Sequence, residues 1–162
     1  MYKIPKDLPE LAVKWQDWTL SQRVELMKKL MDVEPENRFF ATIITMVEQP
    51  GKIPNGNCCG LMCQGEKYPW GWNSFYWTIR KPIGFVLVKE GMSGKKAPFL
   101  AFADVGDSYR ILCEVIKRRA IYDAGRYCTA WVGLNTPRAE IIQTFNLNMR
   151  KLLSVLFGKE GI

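Results

Sequence analysis

Residues 45–65 read TMVEQPGKIPNGNCCGLMCQG, and in this stretch an apolar helical pattern gives way to a turn-rich, cysteine-containing loop. The run that leads into this stretch, residues 39–47, is apolar around most of a helical circumference, which predicts a buried central helix. Pro35 fits the first turn of that helix, and Pro50 ends it because proline lacks the backbone donor that a helix needs. Glu48 is therefore expected at the C-terminal end of a buried helix.

The surrounding pattern predicts an α+β fold that is mostly helical, built as a single domain over residues 1–162. Thr19 or Ser21 is expected to cap an amphipathic helix through SQRVELMKKLMDV. Its inner face is expected to contain Val24, Met27, Leu30 and Met31, and its outer face Arg23, Lys28 and Lys29. Two β-rich runs, residues 83–90 and 97–103, are joined by the turn-like GMSGKK and predict a small β-hairpin.

Two more helices are expected after the hairpin. Asp107 or Ser108 caps the first, which runs through DSYRILCEVIKRRAIY. Thr136 and Pro137 begin the second, TPRAEIIQTFNLNMRKLLSVLF. Residues 116–126, within and just after the first of these helices, are rich in lysine and arginine and predict a basic helix.

The charge of the chain indicates an anionic partner. It has 23 lysines and arginines against 16 aspartates and glutamates, a formal net charge of +7. Nucleic acid, a membrane surface and an anionic cell-wall polymer all fit that charge, which also simply aids solubility. No apolar run approaches the length of a membrane span, and the N-terminus has no hydrophobic signal core. Synthesis in the cytoplasm without a signal peptide is therefore expected.

Five cysteines and no histidine limit the chemistry. Without histidine, the His-dependent triads and the mixed Cys/His zinc sites are excluded. A zinc site would have to combine ligands from the set Cys58, Cys59, Cys63, Cys113 and Cys128, yet paired C-x2-C motifs are missing. The odd number of cysteines favours buried free thiols, and neither a metal nor another cofactor is expected.

Glu48 has the features of a general acid. The negative end of the helix dipole and desolvation by Met46 and Val47 both disfavour the ionised carboxylate, so its pKa is expected to be raised. Such a group can donate a proton near neutral pH, for example to a glycosidic oxygen. The alternative is an ordinary solvated charge at a helix end.

The order of these motifs resembles the lysozyme-like peptidoglycan glucosaminidases and lytic transglycosylases. In those families a helix ends in a catalytic glutamate, and a loop then leads to an N-x-x-G-[IL] segment, which here is NCCGL at residues 57–61. Their later F-x-x-[FY] strand and serine-containing turn correspond to FLAF at residues 99–102 and to residues 104–108. The resemblance covers residues 36–120, and the glutamine and proline after Glu48 depart from the usual serine or glycine.

The resemblance implies a lysozyme-like fold with Glu48 as catalytic acid and with Asn57 and Gly60 beside the substrate. Glu90, at the end of the first hairpin strand, corresponds to an assisting acid in related glucosaminidases. Glu66 and Asp104 are the other candidates for a second carboxylate. A solvent-facing charge next to the hairpin turn is the alternative for Glu90.

Aromatic side chains form the second group of candidate substrate-binding residues. YPWGWNSFYW, at residues 68–77, has six aromatics in ten positions, which either fill the core or stack on sugar rings. The candidates for exposed rings are Trp70, Trp72, Tyr76, Tyr122 and Tyr127.

The sequence therefore predicts a monomeric peptidoglycan glycosidase, a hydrolase or lytic transglycosylase of the kind found in phage lysins or cell-wall effectors. Its partner would be peptidoglycan or another anionic glycan, reached at the cell wall after release or in a virion. The first alternative is a non-catalytic phage structural or saccharide-binding protein of the same fold. The second, a nucleic-acid-binding module, rests on charge alone, because no helix-turn-helix, zinc-finger or RNP pattern is present.

Overall fold

The computed structural model describes residues 8–63, 80–89 and 94–158. Within these ranges the protein is an α+β structure, about half helical, with five helices and two small antiparallel sheets. The strands are β1 (Trp15–Asp17), β2 (Lys52–Pro54), β3 (Gly84–Lys89) and β4 (Lys96–Ala101). The helices are α1 (Leu20–Lys29), α2 (Pro35–Glu48), α3 (Val105–Arg119), α4 (Ala124–Arg126) and α5 (Ala139–Phe157), with a π-helical turn at Tyr127–Trp131. The α+β prediction is confirmed.

Close contacts divide the chain into two compact units. The first comprises Met1–Trp18 and Gly51–Ile111, and the second comprises Thr19–Pro50 and Leu112–Ile162. The organisation of residues 1–162 as one lysozyme-like domain stays a prediction.

The predicted hairpin is confirmed in the first unit. Strands β3 and β4 pair antiparallel, with Gly84 opposite Ala101 and Lys89 opposite Lys96. Alternate side chains of both strands form an apolar cluster, composed of Val86, Val88, Ala97, Phe99 and Ala101. A second sheet pairs β1 with β2, which the sequence pattern does not predict because each strand has only three residues.

Loop segments extend the hairpin at both edges. The Leu11 N–H donates to the Phe85 carbonyl at 2.8 Å, and the Cys63 N–H donates to the Pro98 carbonyl at 2.8 Å. The cysteine-rich segment thus runs beside β4. All five cysteines of the chain are free and buried, which confirms their predicted burial. Burial raises the pKa of the Cys63 thiol to about 12.

The second unit contains helices α1 and α2, and both begin where the sequence predicts. The Thr19 hydroxyl accepts the Gln22 N–H at 3.1 Å, and the Gln22 side chain accepts the Thr19 N–H at 2.8 Å. This reciprocal pair is a capping box. Pro35 is the first residue of α2, and the helix ends at Glu48, two residues before Pro50. Residues 41–46 of α2 are buried, as its apolar pattern predicts.

Two predictions for α1 are wrong. Arg23 was expected on the outer face, but its side chain is buried and its guanidinium donates to the Gln49 carbonyl at the end of α2. The last carbonyls of a helix lack partners within the helix, and a cation complements the negative end of its dipole. Met31 was expected on the inner face, but it is 76% exposed because α1 ends at Lys29, before Met31.

The predicted start of α3 is also wrong. The helix begins at Val105, because the Asp104 carboxylate accepts the Gly106 N–H at 2.6 Å and so caps the first turn. Asp107 therefore lies within the helix. Ser108, the other predicted cap, is buried, and its hydroxyl donates to the Gly56 carbonyl at 2.7 Å.

Two further helix boundaries differ from prediction. The basic segment of residues 116–126 is not one helix, because α3 ends at Arg119 and Ala120 has a left-handed φ of 52°. Helix α5 begins at Ala139 rather than at Thr136, because Arg138 is extended, with φ −116° and ψ 131°. None of the helices in residues 8–63, 80–89 and 94–158 is long and apolar enough to cross a membrane.

Candidate functional site

Glu48 is the last residue of α2, and its side chain is half-buried. The backbone N–H of Gln49 closes the helix by donating to the Thr45 carbonyl at 3.0 Å. The guanidinium of Arg23, on α1, donates to the Gln49 carbonyl and so adds a second constraint at this end of α2. The position of the carboxyl group is therefore set by the helix and by its immediate neighbours.

The short helix α4 and the π-helical turn supply the partners of Glu48. The Asp123 carboxylate caps α4 by accepting the Arg126 N–H at 2.7 Å. The chain then widens into the π-helical turn, in which the Val132 N–H donates to the Tyr127 carbonyl at 3.1 Å. Tyr127 and Trp131 are the first and last residues of this turn.

Both aromatic side chains donate to the same carboxyl oxygen. The Tyr127 hydroxyl donates to Glu48 Oε1, and the Trp131 indole N–H donates to Oε1 at 3.1 Å. Within the described part of the chain, no hydrogen bond to Oε2 accompanies these two. The two oxygens of Glu48 thus have different surroundings.

Burial raises the pKa of Glu48 above its ordinary value of 4.5. The hydrogen bonds from Tyr127 and Trp131 act in the opposite direction, because each stabilises the ionised carboxylate. Burial is the larger effect, so the protonated acid is favoured at higher pH than in a solvated glutamate. The raised pKa agrees with the expectation from the sequence, although the dipole of α2 is not among its principal causes.

Tyr127, one of the two donors, belongs to a packed aromatic group. The Tyr127 ring lies 5.2 Å, between ring centroids, from that of Phe145 on α5. Phe145 in turn stacks on Phe40 of α2 at 6.4 Å. Tyr127 and Phe145 are almost fully buried, so the prediction of an exposed Tyr127 ring is wrong. The Tyr127 hydroxyl is held by this packing as well as by its hydrogen bond.

The structure does not bring Tyr122 together with Glu48. The Tyr122 hydroxyl donates to Asn37 Oδ1 at 2.7 Å. Asn37 is eleven residues before Glu48 on α2, about 16 Å along the helix axis. Partial burial and the carboxylates of Glu36 and Glu34 raise the pKa of Tyr122.

Asn57 and Gly60 lie in the first unit. The Asn57 side chain is fully buried: its amide donates to the carbonyls of Leu61 at 2.8 Å and Leu100 at 2.9 Å, and its Oδ1 accepts the Leu61 N–H at 3.0 Å. Gly60 is half-buried, with a positive φ of 70°. The Asn57 side chain holds the loop to β4, and a direct role of either residue in substrate binding stays a prediction.

The remaining predicted site residues fall into two groups. Asp104, a candidate second acid, caps α3. The others, Glu66, Trp70, Trp72, Tyr76 and Glu90, lie outside the described residues.

The sequence reasoning missed Trp131. Its signal is the spacing Tyr-x3-Trp, which places two hydrogen-bonding aromatics on the same side of a helical turn.

A cavity of about 600 Å³ lies in the first unit, lined by residues that include Lys14, Asn55 and Asp104. An apolar cavity of about 340 Å³ lies in the second, beside Met27 and Phe39. Glu48 lines neither of them. Among the described residues, no group of three or more Cys, Asp and Glu is arranged to hold a metal ion. Searches against family models, curated proteins and solved structures give no significant match.

Proposed function

We propose that this protein is a peptidoglycan glycosidase of lysozyme-like fold that uses Glu48 as its general acid. The observation that supports the proposal is the environment of Glu48: a half-buried carboxyl at the end of α2 with a raised pKa and one oxygen bound to two donors. A protonated carboxylic acid near neutral pH is what protonation of a glycosidic oxygen requires.

In this mechanism the proton of Glu48 moves to the oxygen of the scissile glycosidic bond. The carbon–oxygen bond breaks, its electron pair stays on the leaving oxygen, and the sugar becomes oxocarbenium-like. Water then attacks the sugar in a hydrolase, whereas a hydroxyl group of the substrate itself attacks in a lytic transglycosylase. In either case the attacking oxygen gives its proton to the Glu48 carboxylate, which restores the acid. Glu90 is the proposed assisting acid for the first route, and the second route needs no other carboxylate.

The net charge of +7 supports an anionic glycan as substrate. A positive protein is drawn to an anionic wall polymer, and this attraction weakens as salt screens it. Binding to wall polymer is therefore expected to weaken as ionic strength rises. The proton transfer from Glu48 acts over a short distance and is expected to depend little on ionic strength.

A saccharide-binding protein without catalysis is the second candidate. The observation in its favour is that the hydrogen bonds from Tyr127 and Trp131 stabilise the carboxylate and so oppose the protonated form that a general acid needs. On this alternative, Glu48 would be a structural acceptor that ties α2 to the π-helical turn.

The decisive experiment follows lysis of purified peptidoglycan by turbidity and identifies the fragments by mass spectrometry. Glu48→Gln is expected to reduce the lysis rate at least about a hundredfold, the lower range for losing a general acid. Glu25→Gln, an exposed carboxylate on α1, is the matched control and should lyse like the wild type. Equal lysis by wild type and Glu48→Gln would overturn the catalytic proposal, and binding of fragments without cleavage would favour the second candidate.

A further inference from the structure

We propose that Tyr127 and Trp131 form a two-donor clamp on Glu48 Oε1 that leaves the acidic proton on Oε2, so that Oε2 is the atom that delivers it. Both residues are positioning residues in this scheme, because they act through Glu48. The proposal concerns the protonation of one side chain and can be tested without a substrate. Its catalytic consequence rests on the proposed function.

The assignment follows from the hydrogen-bonding capacity of a neutral carboxylic acid. Such a group has one carbonyl oxygen, with two lone pairs, and one hydroxyl oxygen that holds the proton. The indole N–H of Trp131 can only donate, and it donates to Oε1 at 3.1 Å. The Tyr127 hydroxyl donates to the same oxygen. With both lone pairs of Oε1 occupied, the proton belongs on Oε2.

The π-helical turn explains how two donors reach one oxygen. Tyr127 and Trp131 are four residues apart, and the widened turn between them is closed by the bond from the Val132 N–H to the Tyr127 carbonyl at 3.1 Å. π-Helical turns are uncommon and occur frequently at functional sites, where they redirect side chains. Here the turn presents a phenol and an indole to Glu48.

The clamp also explains how the acid could give up its proton once a substrate is present. When Oε2 loses its proton, the negative charge is shared with Oε1, where two donors already point at it. Arg23 of α1 donates to the carbonyl of Gln49, the residue that follows Glu48. Burial raises the pKa of Glu48 and so favours its protonated form, and the clamp stabilises the carboxylate that forms during reaction.

The direct test is an NMR titration of the Glu48 side-chain carboxyl in the full-length protein, assigned by loss of the signal in Glu48→Gln. Tyr127→Phe and Trp131→Phe should each shift the titration of Glu48 to higher pH, because each removes a donor to the carboxylate. The matched controls are Tyr122→Phe, whose hydroxyl binds Asn37, and Trp15→Phe, which is exposed on β1. Neither control should shift it.

Three results would overturn the clamp. A downward shift in Tyr127→Phe would mean that Tyr127 accepts the proton of Glu48, which places that proton on Oε1. No shift in Tyr127→Phe or in Trp131→Phe would mean that the missing donor does not bind the carboxyl.

The third result does not depend on whether Tyr127→Phe and Trp131→Phe fold, because it compares the wild type with Glu48→Gln alone. The infrared difference between wild type and Glu48→Gln at low pH isolates the carbonyl stretch of Glu48. A frequency lowered by two hydrogen bonds supports the clamp, and that of a free carbonyl contradicts it.

The kinetic test separates the clamp from the proposed function. If the protein cleaves peptidoglycan, Tyr127→Phe and Trp131→Phe should lower kcat about tenfold with little change in KM, as expected when a donor to developing charge is lost. The alkaline limb of the rate should move to higher pH. Wild type that titrates as expected but cleaves nothing would refute the proposed function and leave the clamp standing. If the wild type cleaves peptidoglycan but Tyr127→Phe and Trp131→Phe do not shift the titration of Glu48, the clamp is refuted and the proposed function stands.

Discussion

Asn57 and Glu48 are two polar side chains from the same stretch of sequence that are used in opposite ways. Asn57 is fully buried in the first unit, and both ends of its amide bind backbone groups of Leu61 and Leu100. Glu48 is half-buried in the second unit, and its hydrogen bonds within the described residues converge on one oxygen. One side chain uses its bonding capacity on the fold, whereas the other keeps an oxygen outside that network.

This difference separates the two parts of the motif from which the glycosidase function is proposed. An asparagine that satisfies four backbone groups, of Cys59, Leu61 and Leu100, is explained by the loop it closes, with no substrate needed. A carboxyl whose pKa is raised by burial, and whose Oε1 accepts two hydrogen bonds, is harder to explain by stability alone, because a buried acid usually costs free energy. We therefore assign the proposed chemical role to Glu48 and the two donors that bind it, and a structural role to Asn57.

The largest expected effect on stability comes from replacing Asn57, which tests its structural role. Asn57→Ala removes the partner of two carbonyls, of Leu61 and Leu100, and of two backbone N–H groups, of Cys59 and Leu61. Leaving buried polar groups unsatisfied should lower the free energy of unfolding by about 3 kcal/mol or more, measured by urea denaturation. Asn148→Ala, which breaks one bond from α5 to its own Thr144 carbonyl, should cost less than about 1 kcal/mol. Equal losses of unfolding free energy in the two variants would contradict the structural role of Asn57.

Local signals in the sequence predicted much of the fold. The capping box at Thr19, the first-turn Pro35 and the stop at Pro50 act over a few residues, and all three are observed. The same holds for the hairpin, whose alternating apolar residues and turn composition are adjacent in sequence. These elements depend on neighbours that a reader of the sequence can see.

The features that could not be predicted depend on distant partners. The buried Arg23 side chain donates a hydrogen bond to a carbonyl 26 residues away, and no residue close to Arg23 in the sequence indicates that partner. The partners of Glu48 are 79 and 83 residues away. The existence and type of Glu48's helix were therefore predictable, whereas the two donors that define its chemistry were not.

A smaller effect sharpens the picture of the loop around Asn57. Gly56 has a φ of +70°, and a Cβ added there would lie 2.7 Å from the Phe102 carbonyl oxygen. Gly56→Ala should therefore cost about 2 kcal/mol of stability or more, through backbone strain and the clash together. Gly133→Ala is the matched control, because Gly133 has a φ of +84° with nothing within 4 Å of its added Cβ. It should cost about 1 kcal/mol from strain alone, and an equal loss at Gly56 would mean that the loop relaxes around the clash.

The last expected effect is the pH dependence that Glu48 gives to stability. Because burial raises the pKa of Glu48 in the folded protein, its neutral form is favoured by folding. This contribution is fully present below the unfolded value, 4.5, and is lost as pH rises through the folded pKa. Each unit by which the folded pKa exceeds the unfolded one corresponds to about 1.4 kcal/mol.

Urea denaturation of wild type and Glu48→Gln across this pH range measures the contribution directly. The uncharged glutamine amide has no such penalty, so Glu48→Gln should become more stable relative to wild type as pH increases, until Glu48 is ionised in both states. The same comparison with Glu25→Gln removes an exposed carboxylate and should show no matching trend. A difference that instead falls with rising pH would mean that the two donors outweigh burial, and Glu48 would then resemble Asn57 as an acceptor that serves the fold.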